Sequence, residues 1–178
     1  MRAWPSVWVA LTLALALELA APAAAAAPTA TPSIDGSVLR VVDGDTLWLL
    51  PAQGSLPFAV RLRGIDAPEI CQTWGPEARA ALEARVRGLR VSLRIPASRT
   101  HDEHGRMLAT VVLDGVDINR ELVIDGHAWS DRYRNDRGPY VKQERIAQAL
   151  DRGLHAAGGA ELPRDFRRRH GTCARTAG

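Results

Sequence analysis

Short apolar runs, each stopped within a few residues by a turn signal, occupy the chain from residue 38 to residue 113. Runs of this length that are rich in β-branched residues, or that alternate apolar with polar residues, are typical of β-strands. Asp-Gly pairs follow the first and last runs, and Gly or Pro follows the others. The pattern predicts five short strands: Val38–Val42, Leu47–Leu50, Phe58–Leu62, Arg90–Ile95 and Met107–Leu113.

Three helices are predicted beside these strands. The first spans residues 75–88, with Pro in its first turn and apolar residues at four-residue spacing. Asp117 is a candidate N-cap for a short second helix that ends at Gly126. Pro139 starts the third helix, whose apolar residues are Ile146, Ala149, Leu150 and Leu154. This order of elements favours a mainly β, α+β fold: a five-stranded OB-fold-type barrel with three helices, an architecture that commonly binds nucleic acids.

The N-terminal residues 1–27 have the pattern of a signal peptide: a positive start, the apolar run Val7–Leu19 and several Ala-x-Ala cleavage frames. An uncleaved anchor is the alternative, but Glu18 and the shortness of the run argue against a membrane span of ~20 residues. We therefore expect an exported protein, periplasmic or secreted, with no stable membrane association after the leader is removed. A Pro/Thr linker (28–36), the folded domain (37–157) and a basic tail (158–178) are expected to follow.

The two cysteines lie far apart in the chain, at Cys71 and Cys173. An exported protein meets an oxidising compartment, in which these residues can pair. The predicted disulfide would tie the basic tail to the region of residue 71. Two unpaired thiols are the alternative.

Arginine carries almost all of the positive charge, because Lys142 is the only lysine among 23 basic residues. The guanidinium fork binds phosphate and carboxylate groups bidentately, so the composition fits a phosphate-rich partner. A genomic bias toward arginine codons explains it equally well. Three of the arginines form a run in the tail, Arg167, Arg168 and Arg169.

Three clusters of charged residues lie in or next to the predicted strands, at residues 43–45, 61–69 and 102–106. At the first, Asp43 and Asp45 flank Gly44 at the end of a strand, which taken alone is typical of a hairpin turn. At the third, residues 102–106, a polar loop ends in Arg106, and by itself this pattern indicates a solvated turn.

The second place, residues 61–69, is less easily explained by a turn. Arg61 lies inside an apolar strand, where an unpaired charge is costly, so it needs a carboxylate or phosphate partner. Asp66 and Glu69 bracket Pro68, which stiffens the turn between them. The two acids can hold a cation and still leave one carboxylate free, although a turn with solvated acids is the alternative.

In order and spacing, these clusters resemble the motifs of the staphylococcal nuclease, or thermonuclease, family. The chain reads Val-Asp-Gly-Asp-Thr, then Arg-x-x-x-x-Asp-x-Pro-Glu, then Trp-Gly-Pro-Glu-Ala, then Gly-Arg. The resemblance covers Val38 to about Leu154. It implies a five-stranded OB-type barrel with three helices, in agreement with the predicted elements.

The resemblance also implies a metal site. Asp45 and Asp66 correspond to the two carboxylate ligands of one calcium ion, and Ala67 corresponds to a residue that adds its backbone carbonyl. Asp43 corresponds to an acid near the metal that is less directly involved. A set of hard oxygen donors favours calcium or another hard divalent ion over zinc.

The remaining matched residues imply the chemistry of the site. Glu69 corresponds to the general base that orients the attacking water, and Arg61 and Arg106 correspond to the guanidinium groups on the scissile phosphate. Tyr133 and the tail arginines 167–169 are further candidates for binding the substrate. The expected function is that of a monomeric, calcium-dependent nuclease that cuts DNA and RNA and leaves a 3′-phosphate. A non-catalytic nucleic-acid-binding module of the same fold is the alternative, and an envelope structural protein is a third hypothesis.

Overall fold

The computed structural model describes residues 32–132, 135–158, 160–171 and 173. The predicted leader, residues 1–27, and Tyr133 lie outside the described residues. Within the described part of the chain, no helix combines the length and the apolar character that crossing a membrane requires.

Eight strands and four α-helices are present in the described residues. The strands are β1 (Ser33–Asp43), β2 (Thr46–Pro51), β3 (Phe58–Leu62), β4 (Ile65–Asp66), β5 (Arg90–Arg94), β6 (Met107–Leu113), β7 (Val116–Asp117) and β8 (Trp129–Ser130). The helices are α1 (Gly75–Val86), α2 (Ile118–Ile124), α3 (Val141–Ala149) and α4 (Pro163–His170), with a 3₁₀ turn at Gly153–Gly158.

Five of the strands close into a barrel. They follow the order β3-β2-β1-β5-β6, and β3 pairs with β6 to complete the circle. This closing pair is parallel, with Arg61 opposite Leu108, whereas the other barrel pairs are antiparallel. The predicted five-stranded OB-fold-type barrel of the α+β class is therefore confirmed.

The strand alternation places one side chain in two inside the barrel. Leu47 and Leu49 on β2, Val60 and Leu62 on β3, and Leu93 on β5 are completely buried. Arg61 lies between two of these inward residues, so its side chain leaves the barrel interior. The two-residue period of the strand therefore keeps the Arg61 side chain out of the apolar core, although the residues on either side of it are buried there.

The first two helices follow the sequence prediction. α1 buries Ala78, Leu82 and Val86, the residues at four-residue spacing. The Asp117 carboxylate accepts a hydrogen bond of 2.9 Å from the Arg120 amide, and so caps α2 as expected.

The third helix differs from its prediction. It begins at Val141, two residues after Pro139, and it buries Glu144 and Ala147. Ile146 and Leu150 are exposed on its outer face. Glu144 is buried because it pairs with Arg132 and accepts a hydrogen bond from the Ser130 amide, an arrangement that a search for apolar residues misses.

Both ends of the folded domain extend beyond the predicted bounds. β1 begins at Ser33 and pairs with β5 from its first residue, so residues 33–36 belong to the sheet and not to a linker. A fourth helix, α4, lies within the segment predicted as a basic tail. The predicted disulfide between Cys71 and Cys173 is present and ties the chain beyond α4 to the start of α1.

Candidate active site

A cleft of about 600 Å³ opens on the side of the barrel where the three charged clusters meet. Its walls come from the end of β1, the segment that joins β3 to α1, the loop before β6, and α4. The predicted residues that line it are Asp43, Asp45, Arg61, Ala67, Glu69, Arg106 and Arg167. Asp66 joins this group through its ion pairs with Arg61 and Arg167.

Arg61 is held by two carboxylates at the base of the cleft. Its NH1 lies 2.9 Å from Asp45 Oδ2, and its NH2 lies 3.2 Å from Asp66 Oδ1. NH1 also donates to the carbonyl of Ile65, at 2.9 Å. The partner that the sequence analysis required for a buried arginine is therefore a pair of acids, and the guanidinium is fixed in place before any ligand arrives.

Asp45 is oriented by neighbours on both of its oxygens. The Ala67 amide donates to Oδ2 at 2.7 Å, and the Thr46 hydroxyl donates to Oδ1 at 3.2 Å. Gly44 allows this approach, because a Cβ at that position would lie 2.6 Å from the Ala67 Cβ and 2.8 Å from the Ala78 Cβ. The Asp-Gly-Asp sequence is thus more than a hairpin turn: its glycine lets α1 and the Ala67 segment pack against it.

Negative charge exceeds positive charge at the base of the cleft, where Asp43, Asp45 and Asp66 surround Arg61. Burial, reinforced by the Asp45 carboxylate, raises the pKa of Asp43 to about 7. Burial also raises the pKa of Asp66 to about 6, although Arg61 opposes the shift. A divalent cation would relieve this imbalance.

The donor set at this position fits a hard cation. Asp45 and Asp66 offer carboxylate oxygens and Ala67 a backbone carbonyl, which are the ligand types that calcium takes. The described residues contain no cluster of three or more His, Cys, Asp or Glu side chains suited to a metal. A metal bound here would therefore combine two carboxylates with backbone, water or substrate oxygens.

Arg106 is fixed on the cleft wall by its own loop. Its Nε donates to Asp102 Oδ2 at 2.7 Å, and its NH1 donates to the Thr46 hydroxyl at 3.2 Å. Asp102 also accepts from the amides of His104 and Arg106. Burial opposes ionisation of Asp102, but the hydrogen bonds from Arg106 hold the pKa of Asp102 below its usual range. No role in the site was predicted for Asp102, although its i,i+4 spacing from Arg106 was a usable signal.

A tight turn before α1 carries Glu69. The Glu69 amide donates to Gln72 Oε1 at 3.1 Å, and the Glu69 carbonyl accepts from the Gln72 amide at 2.8 Å. Gly75 packs so closely on this turn that a Cβ there would lie 2.0 Å from the Glu69 carbonyl oxygen. The contacts that Gln72 and Gly75 make with this turn were not predicted, although Gly75 lies in the Trp-Gly-Pro-Glu-Ala motif, because those contacts depend on the path of the backbone.

The three tail arginines have different partners. Arg167 NH1 lies 2.7 Å from Glu69 Oε1 and 3.6 Å from Asp66 Oδ1, inside the cleft. Arg168 and Arg169 pair with Asp165 and Glu161, and neither lines the cleft. Of the predicted arginine run, only Arg167 therefore joins the site.

The chain is similar to known proteins that are described as nucleases or endonucleases. The family described as "Staphylococcal nuclease homologue" matches residues 59–156. An "Uncharacterized endonuclease" of Haemophilus influenzae is 34% identical over 131 residues, which cover 74% of this chain and 71% of that protein. A protein with the same description from Escherichia coli is 33% identical over 123 residues, covering 68% and 76%.

A plant relative aligns with this chain over a smaller fraction of its own length. "Probable staphylococcal-like nuclease CAN2" of Oryza sativa subsp. japonica is 34% identical over 111 residues, or 62% of this chain. The chain spans only 29% of the length of that relative. The family match and the bacterial relatives agree with the motifs and with the barrel, and on these grounds the chain belongs to the staphylococcal nuclease family.

Proposed function

We propose that the protein is an exported, calcium-dependent nuclease that hydrolyses phosphodiester bonds of DNA and RNA with little sequence or sugar specificity. The observation that carries this proposal is the convergence of two anchored guanidinium groups, Arg61 and Arg106, with the Glu69 carboxylate in one cleft. The family supports a nuclease function. The ion, the substrates and the residue roles are proposed from the resemblance to the family, and the charges and oxygen donors of the cleft support them.

The two arginines suit a reaction in which negative charge accumulates on a phosphate. Attack of water on phosphorus adds charge to the equatorial oxygens, and fixed donors stabilise that state at no cost of reorganisation. Asp45 and Asp66 hold Arg61, while Asp102 and Thr46 hold Arg106. Both guanidinium groups can bind phosphate oxygens as forks, which a lysine cannot reproduce.

Glu69 is proposed as the general base. Its side chain is 23% exposed and lines the same cleft as the arginines. A carboxylate at that place can orient a water molecule for attack and accept its proton. General base catalysis of this kind is typically worth about 10²–10⁴-fold in rate.

Asp45, Asp66 and the carbonyl of Ala67 are the residues proposed to hold one calcium ion, with Asp43 close by. When bound, the ion would neutralise charge on the phosphate as a Lewis acid. The carboxylates themselves keep Arg61 in place, and the Ala67 amide keeps Asp45 in place. Asp45 and Asp66 would therefore hold both the cation and the guanidinium of Arg61.

A non-catalytic binding module is the second candidate. Such a module has no need for the acids, whereas this cleft keeps Asp45, Asp66 and Glu69 beside both arginines.

We propose that the protein is a monomer and that it is exported. The Cys71–Cys173 disulfide is compatible with an oxidising compartment.

The test uses the purified mature protein with plasmid DNA and RNA, in calcium or in an excess of chelator. Cleavage that needs calcium and leaves 3′-phosphate ends is the expected result. Glu69→Gln should lower kcat about 10²–10⁴-fold, with an unchanged unfolding midpoint. Glu77→Gln, an exposed position in α1, is the matched control. Wild-type cleavage by Glu69→Gln would remove Glu69 as the base, and binding without cleavage by the wild type would favour the module.

A further inference from the structure

Besides the ion pair of Arg167, a disulfide and a hydrogen bond of Gln72 join the C-terminal segment to the turn that carries Glu69. The disulfide links Cys71, two residues after Glu69, to Cys173. The side-chain amide of Gln72, a buried residue, donates to the backbone carbonyl of Glu161, just before α4. Because these ties lie on either side of α4 in the chain, the helix is held against the Glu69 turn at both of its ends.

Arg167 is the residue of α4 that this arrangement presents to the cleft. Its side chain is 38% exposed, compared with 75% for Arg168 and 63% for Arg169. Its NH1 lies 2.7 Å from Glu69 Oε1 and 3.6 Å from Asp66 Oδ1. Asp66 in turn pairs with Arg61. Positive and negative side chains therefore alternate from Arg61 through Asp66 and Arg167 to Glu69. At the end of this series, Arg167 contacts one oxygen of the Glu69 carboxylate.

We propose that Arg167 is a positioning residue that holds the Glu69 carboxylate in its working orientation. The contact engages Oε1, so Oε2 is the oxygen that would act on water. Fixing a glutamate side chain costs rotamer entropy. The ion pair with Arg167 fixes Glu69 before the substrate binds, so this entropy is not lost during the reaction. This inference rests on the proposed role of Glu69 as the base. It assigns to α4 a part in the reaction that goes beyond binding a strand.

Direct contact between Arg167 and a substrate phosphate is the competing role, and a double-mutant cycle separates the two. The cycle consists of the full-length mature wild type, Arg167→Gln, Glu69→Gln and the double variant. Each is assayed for kcat and KM on a single-stranded oligonucleotide at saturating calcium. Arg164→Gln, an exposed position in the first turn of α4, controls for the loss of one charge on the helix.

If Arg167 acts through Glu69, Arg167→Gln lowers kcat by about 10- to 100-fold, as expected for a misplaced catalytic group, while KM changes less than about twofold. In the Glu69→Gln background the same substitution has no further effect. Arg167→Lys keeps a charge within reach of Oε1 and retains most of the activity, and Arg164→Gln behaves as the wild type.

Each of the following results would overturn the inference. An equal loss from Arg167→Gln in both backgrounds, or a change in KM alone, would assign Arg167 to the substrate. Wild-type kcat in a folded Arg167→Gln variant would leave Arg167 without a role in the reaction. If Glu69→Gln itself cut at the wild-type rate, the proposed base would fail, and the inference with it. Should Arg167→Gln fail to fold, a loss of kcat in a folded Arg167→Lys variant that persists in the Glu69→Gln background would overturn it in the same way.

Discussion

Gly75→Ala should lower kcat by displacing the backbone of the turn that carries Glu69. The new Cβ would lie 2.0 Å from the Glu69 carbonyl oxygen, 2.9 Å from the Glu69 carbonyl carbon and 3.0 Å from the Ile70 carbonyl carbon. All three neighbours are backbone atoms, so no flexible side chain can move aside. Because real Cβ atoms are essentially never found closer than 3.0 Å to another heavy atom, the turn must open by about 1 Å.

Two magnitudes follow from this displacement. Overpacking of a fixed backbone typically costs about 1–3 kcal/mol of unfolding free energy. A misplacement of about 1 Å at a catalytic group can cost about 10²-fold in rate. We expect Gly75→Ala to remain folded at 25 °C, with a lower urea midpoint and with kcat reduced by about 10²-fold.

The assay pairs urea unfolding with cleavage kinetics, and Gly115→Ala is the control. Gly115 has φ +82°, and a Cβ there would meet no atom within 4 Å. That substitution should therefore cost about 1–3 kcal/mol of backbone strain without moving Glu69. A folded Gly75→Ala variant with the kcat of Gly115→Ala would refute the link between the turn and the reaction.

Two further predictions concern stability. Trp74 Nε1 donates to His127 Nδ1 at 3.3 Å, and burial, with help from Arg85, lowers the pKa of His127 below 6.5 although Asp125 opposes the shift. The stability that neutral His127 contributes is therefore present above pH 6.5 and is lost as the pH falls below it. The unfolding free energy of the wild type should fall between pH 7 and pH 5, and His127→Asn, which keeps an acceptor, should make this fall less steep. The difference in slope should be at most about 1.4 kcal/mol per pH unit, and an unchanged slope would contradict the prediction. Replacing both cysteines by serine should lower the unfolding free energy by up to about 4.7 kcal/mol, since the bridge closes a loop of 102 residues; an unchanged urea midpoint would contradict that estimate.

The barrel and the core of the site could be predicted because their signals are local. Short apolar runs that end at turn signals identify the barrel strands, and an arginine inside such a strand requires a carboxylate or phosphate partner. Arg61 meets that requirement with Asp66, only five residues away, and with Asp45 in the turn between β1 and β2. The strand pattern required a partner for Arg61, and the motifs that resemble those of the family, rather than the local pattern alone, identified Asp45 and Asp66.

The part that could not be predicted depends on contacts between distant segments. The partner of Arg167 is Glu69, 98 residues earlier, and no local pattern in a run of three arginines distinguishes Arg167 from its neighbours. α4 itself is rich in charge and buries only Pro163, so it lacks the apolar stripe by which a helix is recognised. Glu144 illustrates the same limit: its burial depends on Arg132 and Ser130, which only the fold brings to it.

The parallel pairing of β3 with β6 determines when the cleft comes into existence during folding. Thr46 aligns with Arg61 on β3, and Arg61 aligns with Leu108 on β6, so the site straddles the seam at which the barrel closes. A chain in which β1, β2 and β3 have already paired has Arg61 in register, but it does not yet have Arg106 beside Thr46. Pairing strands that are distant in sequence is slow, because loop-closure entropy is lost before the contacts form. Recovery of catalytic activity after dilution from urea should accordingly follow the closure of the barrel and should not precede it.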